Sequence, residues 1–429
     1  MTHHMTVCPR RAPATALVRA NYIRHRLWPW LLMLLLGCQA PWLTPDEAAT
    51  GNFLKFYGGV LPDTLVDMAP APDSSSTYLL GNGQSATGDL INLIEVDGAG
   101  NERRWRRWSR PGQVRGAFLL PLPNGLVVGV NAADSSGRPQ PWLLRYDTEL
   151  VLRDSLPLTT PDSPHFSWLQ TAILTQGESA LLIGGYSTLV DSLKYETGER
   201  TPEEDPRDAW LWQVRLTEQG FDTDTTTRWE RRYGFIRSDA VVALSEWDGE
   251  YFALMETQYP VETTWSLLHL SAEGYLIDQW TQATSLARPV AVVTDTRNDI
   301  QYVVAAHNDD QRAQVYVRSA PGEVMRPRVS ASDLVFHPGD ATLSPDQTLW
   351  LSGLTADRRQ LLTAQLADDA LVLQSRSGTA DAELVHQAGP LHVLAGERLR
   401  LGATIGWGNG NAMLALLSGQ AGTLRGPLP

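Results

Sequence analysis

The chain has 429 residues, a formal net charge of −13 and two cysteines, Cys8 and Cys38. The acidic balance disfavours nucleic acid as a partner, and it also disfavours electrostatic attachment to anionic lipid. With so few cysteines, the fold has to be held by packing and hydrogen bonds.

The amino-terminal segment predicts export. Residues 1–37 contain five arginines and no acidic residue, and the arginines precede the apolar run LWPWLLMLLL, from Leu27 to Leu36. A positive region followed by an apolar region is the order found in a secretory signal. The run of about ten apolar residues is too short to cross a bilayer as a helix, which needs about 20.

The apolar run ends in Leu35-Leu36-Gly37-Cys38. These residues resemble the lipobox of bacterial lipoproteins, where the signal is cut before the cysteine and the cysteine is lipidated. The resemblance implies a signal peptide over residues 1–37, cleavage between Gly37 and Cys38, acyl chains such as palmitate on Cys38, and a tether over residues 38–51. An ordinary signal peptide or a buried helix with a coincidental cysteine is the alternative.

The same resemblance implies an address. In the lipoprotein family, glutamine in place of aspartate after the cysteine, here Gln39, implies the outer membrane. Several acyl chains hold a soluble domain on a membrane almost permanently. We therefore expect an exported protein that is anchored to the bacterial cell envelope through its amino-terminal lipid. Loss of the five arginines with the signal moves the formal charge to −18 and leaves no second cysteine for an internal disulfide.

Beyond the tether, short apolar strands recur between turn signals, and no convincing long segment has a helical period. The clearest unit, within residues 239–282, reads AVVALSEWDG, EYFALMETQ, TTWSLLHLSAEG and YLIDQWTQ. Seven such copies predict an all-β fold over residues 52–429, a β-propeller of seven four-stranded blades. Two β-sandwiches divided near residue 235 are the alternative. Segments such as TYLLGN and DGAGN resemble the propeller repeats of secreted bacterial lipoproteins.

Two further segments carry predictions about strands. Phe53 to Gly59, FLKFYGG, precedes the first complete unit, so we expect it to pair within the last blade, beside strands from residues 392–420. The sequence RRWRRW, Arg103 to Trp108, indicates an edge strand protected by charge, and not a nucleic-acid site.

Candidate sites are few. SPDQTLW, Ser344 to Trp350, resembles the aspartate box of sialidases and the strand entry of sensor propellers, which implies a turn with Trp350 packed between blades. The acidic insertion from Leu193 to Asp208 is a candidate partner-contact loop or, alternatively, a solvated loop; its candidate residues are Tyr195, Glu199, Glu203, Glu204 and Asp205. The histidines are scattered singly, so we predict no metal site and no cofactor.

The predicted function is a monomeric, non-catalytic binding or scaffolding module for a protein or a glycan. One alternative is an extracytoplasmic hydrolase, acting on glycans or lactones at the central funnel, and another is an envelope assembly factor. Carboxylates or histidines from at least three blades with perturbed pKa values would favour the enzyme. A channel lined by small and apolar residues would argue against it.

Overall fold

The computed structural model describes 15 segments of the chain. These are residues 53–57, 63–133, 139–158, 165–175, 179–189, 207–222, 229–234, 238–258, 263–282, 287–307, 312–329, 334–378, 385–394, 398–407 and 410–417.

The described strands pair into seven four-stranded sheets, which we number as blades 1 to 7. Blade 1 contains β2 (Asp63–Pro70), β3 (Ser76–Ser85), β4 (Gly88–Asp97) and β5 (Glu102–Trp108). Blade 2 contains β6 (Val114–Leu122), β7 (Gly125–Ala133), β8 (Pro139–Asp147) and β9 (Leu152–Pro157). Blade 3 contains β10 (His165–Leu174), β11 (Ala180–Leu189), β12 (Arg207–Arg215) and β13 (Trp229–Tyr233). Blade 4 contains β14 (Ser238–Trp247), β15 (Glu250–Gln258), β16 (Thr263–Leu270) and β17 (Leu276–Thr281).

The remaining three sheets complete the series. Blade 5 contains β18 (Ala287–Asp295), β19 (Ile300–His307), β20 (Ala313–Arg318) and β21 (Arg326–Val329). Blade 6 contains β22 (Phe336–Leu343), β23 (Leu349–Thr355), β24 (Gln360–Ala367) and β25 (Ala370–Gly378). Blade 7 contains β26 (Val385–Leu394), β27 (Arg398–Trp407), β28 (Gly410–Leu417) and, from the other end of the chain, β1 (Phe53–Tyr57).

The sheets are arranged as a ring. Six of them use four consecutive antiparallel strands, and the first strand of each contacts the first strand of the next, in the order β2, β6, β10, β14, β18, β22 and β26. The ring closes because β26 also contacts β2. The predicted all-β β-propeller is therefore confirmed, and the alternative of two β-sandwiches is wrong.

The core lies between neighbouring blades. One cluster joins Leu80 and Ile91 of blade 1 to Leu119 and Val128 of blade 2. Since each blade is covered on both sides, central strands bury both of their faces, as Trp210 and Leu211 show on β12. Stacking around the ring thus removes from water the apolar surface that one sheet alone would expose.

The ends of the chain meet in blade 7, as predicted. β1 pairs antiparallel with β28, with Phe53 opposite Leu417 and Tyr57 opposite Met413. A hydrogen bond between blades 1 and 7 adds to this closure, because the Leu65 amide of blade 1 donates to Thr404 Oγ1 of blade 7 at 3.0 Å. Closure of this kind leaves fewer free sheet edges.

Two local predictions also hold. Strand β5, which carries the RRWRRW sequence, is the outermost strand of its sheet. In the SPDQTLW segment, the Thr348 amide donates to the Ser344 hydroxyl at 3.0 Å, which closes a turn. Trp350 is buried against residues of blade 7, among them Leu391. Among the described residues, no helix has the length and the apolar character that crossing a membrane requires.

Candidate functional site

A cavity of about 1030 Å³ lies where the seven innermost strands converge. Residues from β2, β6, β10, β14, β18, β22 and β26 all line it. The cavity is therefore the central channel of the propeller.

Each innermost strand contains an irregularity where it borders this channel. The pairing register shifts between Leu65 and Asp67, Gly116 and Phe118, Leu169 and Thr171, Val241 and Ala243, Pro289 and Ala291, Pro338 and Asp340, and Ala388 and Leu391. A bulge of this kind leaves its extra residue unpaired and redirects the strand. The extra residues line the channel, and they are Val66, Ala117, Gln170, Val242, Val290, Gly339, Gly389 and Pro390. This bulge ring is mostly small and apolar.

The residues before the bulges lie at one end of the channel. Each blade has four antiparallel strands, so the chain leaves a blade at the end where it entered, and all innermost strands run in the same direction. Thr64, Arg288, His337 and Gln387, each two residues before its bulge, line the channel on this side. We call this end the polar mouth, and we call Glu256, Arg288, His337 and Arg358 the mouth cluster.

Arg288 and Glu256 form a loose ion pair across blades 5 and 4. Arg288 Nε lies 3.8 Å from Glu256 Oε1, and the Arg288 side chain is 71% exposed whereas that of Glu256 is 11% exposed. Burial raises the pKa of Glu256, and the nearby Arg288 charge opposes that rise. The carboxylate therefore neutralises the guanidinium only in part.

Arg358 lies in the turn after β23 and is exposed. Burial lowers the pKa of His337, and the Arg358 charge lowers it further. Within the described part of the chain, the Arg358 guanidinium forms no hydrogen bond or ion pair, although the side chain lines the channel. The mouth cluster thus offers a guanidinium group that is available to a ligand.

Beyond the bulge ring, two half-buried carboxyl groups face the channel. Asp67 accepts hydrogen bonds from the amides of Met68 at 2.7 Å and Leu119 at 2.6 Å. Asp340 accepts hydrogen bonds from the amides of Ala341 and Leu391, both at 2.8 Å. Each carboxylate therefore joins its own blade to the next one.

The same two groups have shifted pKa values. Burial raises the pKa of Asp67 to about 7 and that of Asp340 to about 6, and the backbone amides oppose both shifts. The Asp340 charge adds to the shift at Asp67, which indicates that the two carboxyl groups interact across the channel. Either group can therefore exchange a proton near neutral pH.

The chemistry of the channel is mixed. Carboxylates and histidines of blades 1, 4, 5 and 6 line it, as expected for an enzyme; they are Asp67, Glu256, His307, His337 and Asp340. However, the hydroxyls of Thr64 and Thr171, which line the described channel wall, form no hydrogen bond with a histidine or carboxylate among the described residues. A nucleophile with its base is thus not assembled by these residues. In the described part of the chain, no group of three His, Cys, Asp or Glu residues is placed to hold a metal ion.

The structure does not describe the site residues that were predicted from the sequence. Gly37 and Cys38 fall outside the described residues, and so do the candidate loop residues Tyr195, Glu199, Glu203, Glu204 and Asp205. These predictions stay untested.

The channel residues carry little local signal in the sequence, and none of them was predicted as a site. The one local signal is a basic residue followed by proline just before a bulge, Arg288-Pro289 in blade 5 and His337-Pro338 in blade 6. An alignment of the repeats would show that both pairs occupy the same position, and only that comparison could have identified them as candidate site residues.

Comparison with known proteins supports the fold. No family model and no curated protein matches the chain. Similar solved structures include a puromycin-hydrolyzing peptidase of Mycobacterium tuberculosis, with a TM-score of 0.52 and 13% identity, over 84% of this chain and 52% of the peptidase. They also include the β-propeller domain of the Trilobed protease from Pyrococcus furiosus, with a TM-score of 0.50 and 10% identity, over 86% and 95% of the two chains. The chain thus spans about half of the peptidase's length. At these identities the likeness shows the β-propeller fold alone.

Proposed function

We propose that the protein is a non-catalytic binding module that takes a segment of a protein or a glycan into its central channel at the polar mouth. The observation that carries this proposal is the channel itself, a cavity of about 1030 Å³ to which all seven blades contribute. Ligand sites are usually concave, mostly apolar, and equipped with a few polar groups that orient the ligand. Here the bulge ring provides the apolar wall, and the mouth cluster provides the polar groups that would orient the ligand.

The hydrogen bonds of the channel carboxylates favour binding over catalysis. Both oxygens of Asp67 and both oxygens of Asp340 accept backbone amides, and in each case one amide belongs to the next blade. Carboxyl groups held in this way join neighbouring blades. They are poorly placed to move toward a substrate.

The proposed location rests on the sequence. The order of arginines, leucines and Leu35-Leu36-Gly37-Cys38 supports export and lipid attachment at Cys38. We propose that the propeller acts as a monomer at the bacterial envelope, held there by this lipid, with the outer membrane as its site.

Native mass spectrometry of the full-length mature chain tests the binding function. The probes are soluble peptidoglycan fragments, neutral oligosaccharides and short peptides. We expect a one-to-one complex from which the ligand is recovered unchanged. Ala117→Phe fills the bulge ring and should abolish this complex, whereas Leu276→Phe, on an exposed outer strand, should not. Equal binding by both variants would show that the channel is not the site.

A hydrolase acting on glycans or lactones is the second candidate. It is favoured by the pKa values of Asp67 and Asp340, about 7 and about 6, because a general acid works best when its pKa lies near the working pH. The same mass spectra test it, since hydrolysis would release products from the probes. Product formation that Asp340→Asn removes would establish the enzyme and overturn the non-catalytic proposal.

A further inference from the structure

We propose that the polar mouth recognises an anionic group of the ligand, a carboxylate or a phosphate, through Arg288 and Arg358, with His337 beside them. This inference rests on the proposed binding function and specifies the chemistry of its ligand. It is carried by the placement of the cationic side chains around one end of the channel.

The cationic side chains share one end of the channel. Arg288 and His337 each lie two residues before the bulge of their innermost strand, on the adjacent blades 5 and 6. Equivalent positions on adjacent blades are neighbours around the channel. Arg358 belongs to the turn between β23 and β24 of blade 6, and its charge acts on His337. These three groups therefore lie on one side of the mouth, where His307 of blade 5 also lines the channel.

The two guanidinium groups at the mouth are only partly neutralised by nearby carboxylates. Arg288 has Glu256 as a partner only at 3.8 Å, and that carboxylate is largely buried. The nearest carboxylate in sequence to Arg358 is Asp357, which accepts hydrogen bonds from the Thr355 hydroxyl at 2.5 Å and from the Arg359 amide at 3.2 Å. Asp357 is thus engaged within its own turn. An anion at the mouth would meet guanidinium groups that the described residues neutralise only in part.

The chemistry of the guanidinium group suits a carboxylate or a phosphate. A guanidinium group presents a planar fork of N–H donors that matches the two oxygens of a carboxylate or phosphate. Below the mouth, the apolar bulge residues Val66, Val242 and Val290 would pack against the uncharged part of the ligand. Asp67 and Asp340 lie beyond the bulge ring and would disfavour a second anionic group there. The channel therefore favours a ligand with its charge at one end.

The test measures anion binding directly. Isothermal titration calorimetry at low ionic strength uses the full-length mature chain with inorganic phosphate, glycerol phosphate or succinate, and sodium chloride serves as the ionic-strength control. Arg358→Ala and Arg288→Ala should each weaken binding about tenfold or more, as the loss of a charge-assisted hydrogen bond predicts. Glu256→Gln should strengthen binding, because it removes the carboxylate that lies 3.8 Å from Arg288.

The chain offers matched controls for both arginines. Arg359 is in the same turn as Arg358, and Arg115 occupies the position of Arg288 in blade 2, yet neither lines the channel. Arg359→Ala and Arg115→Ala should retain wild-type affinity. Equal losses in the control and test variants would overturn the inference, and so would an absence of phosphate and succinate binding by the wild-type chain.

Two further outcomes separate this inference from the function on which it rests. In the first outcome, a neutral oligosaccharide binds to the wild type and to Arg358→Ala but not to Ala117→Phe, and no anion binds. This result would support the binding module and overturn anion recognition. In the second outcome, Ala117→Phe still binds both neutral and anionic ligands. This result would contradict the channel as the binding site. Binding of glycerol phosphate without binding of phosphatidylglycerol vesicles would support a soluble anion, whereas the reverse would support a lipid headgroup.

Discussion

The Asp67 carboxylate on β2 accepts a hydrogen bond from the backbone amide of Leu119 on β6, at 2.6 Å. Blade 1 is thereby joined to blade 2 beside the channel. Asp340 repeats the relationship with Leu391 between blades 6 and 7. Both aspartates follow a bulge directly, so the same local irregularity that shapes the channel also places the carboxylates that join the blades.

These two aspartates predict a pH dependence of stability. Their folded-state pKa values, about 7 and about 6, exceed the ordinary value of 3.8, so the folded state binds protons more tightly than the unfolded state. Their contribution to the free energy of unfolding is therefore present at low pH and is lost as pH rises through 6 and 7. His337 and His392 have lowered pKa values and act in the opposite direction.

Comparison with the Asp67→Asn/Asp340→Asn double variant isolates the effect, because the histidines are common to both proteins. Between about pH 5 and about pH 8, the free energy of unfolding of the wild type should fall relative to that of the variant by roughly 1 kcal/mol or more. Urea denaturation at several pH values measures it. Parallel pH profiles for the two proteins would contradict the assignment.

Arg145 on β8 is expected to stabilise blade 3 against blade 2. The side chain is buried, and it donates to the carbonyls of Thr217 at 2.5 Å, Glu218 at 3.1 Å and Gly220 at 2.9 Å. Arg145→Met removes all three hydrogen bonds and leaves the Thr217 and Glu218 carbonyls without this donor, although the Gly220 carbonyl still accepts from Thr217. We therefore expect a loss of about 3 kcal/mol in chemical denaturation.

The matched control for Arg145 is Arg153→Met. Arg153 pairs with Asp147 on the surface and is 59% exposed. Exposed ion pairs contribute little, so the loss should stay below about 1 kcal/mol. A comparable loss in both variants would show that the buried hydrogen bonds of Arg145 are not what stabilises this interface.

The closure between blades 7 and 1 gives a third prediction. Thr404→Val removes the hydroxyl that accepts the Leu65 amide at 3.0 Å and leaves that buried amide unpaired. We expect destabilisation of about 1 to 3 kcal/mol and faster hydrogen exchange at Leu65. Thr87→Val, at an exposed turn, is the control and should change neither quantity.

Gly129 on β7 tests the packing beside the bulge of β6. A Cβ atom at this position would lie 2.3 Å from the ring of Phe118, which is buried and pairs across the strands with Gly129. Gly129→Ala should therefore cost about 1 to 3 kcal/mol of stability. Gly98→Ala has open space around its new methyl group and should leave the stability almost unchanged. Thermal denaturation of both variants measures the difference.

Lipid attachment is tested in cells. Growth with labelled palmitate should label the wild-type protein in the membrane fraction, because Cys38 follows Leu35-Leu36-Gly37. Cys38→Ala should abolish the label, whereas Cys8→Ala should leave it in place. Label that persists in Cys38→Ala would refute the assignment of the modified residue.

Much of the fold could be read from local pattern. Turn signals between short apolar segments located the units of AVVALSEWDG type, and the position of FLKFYGG before the first unit was enough to pair β1 with β28. The simple alternation of apolar and polar residues was less informative, because β12 is covered on both sides. Leu211 and Trp210, on opposite faces of that strand, are both fully buried.

The channel was beyond the reach of such patterns. Arg288 and Arg358 belong to different blades, and Asp67 and Asp340 are 273 positions apart in the chain, yet all four line one cavity. Spacing along a sequence carries no record of which strands a closed ring brings together. The bulges next to Asp67 and Asp340 also leave no distinctive local motif.

The sequence by itself determined the strands, their turns and their closure, because these depend on residues that are neighbours in the chain or on a repeated pattern. Tertiary structure alone decided which side chains share the channel and which of them carry shifted pKa values. The reason is that burial and charge interactions act through space, and only the closed ring places residues of distant repeats within reach of one another.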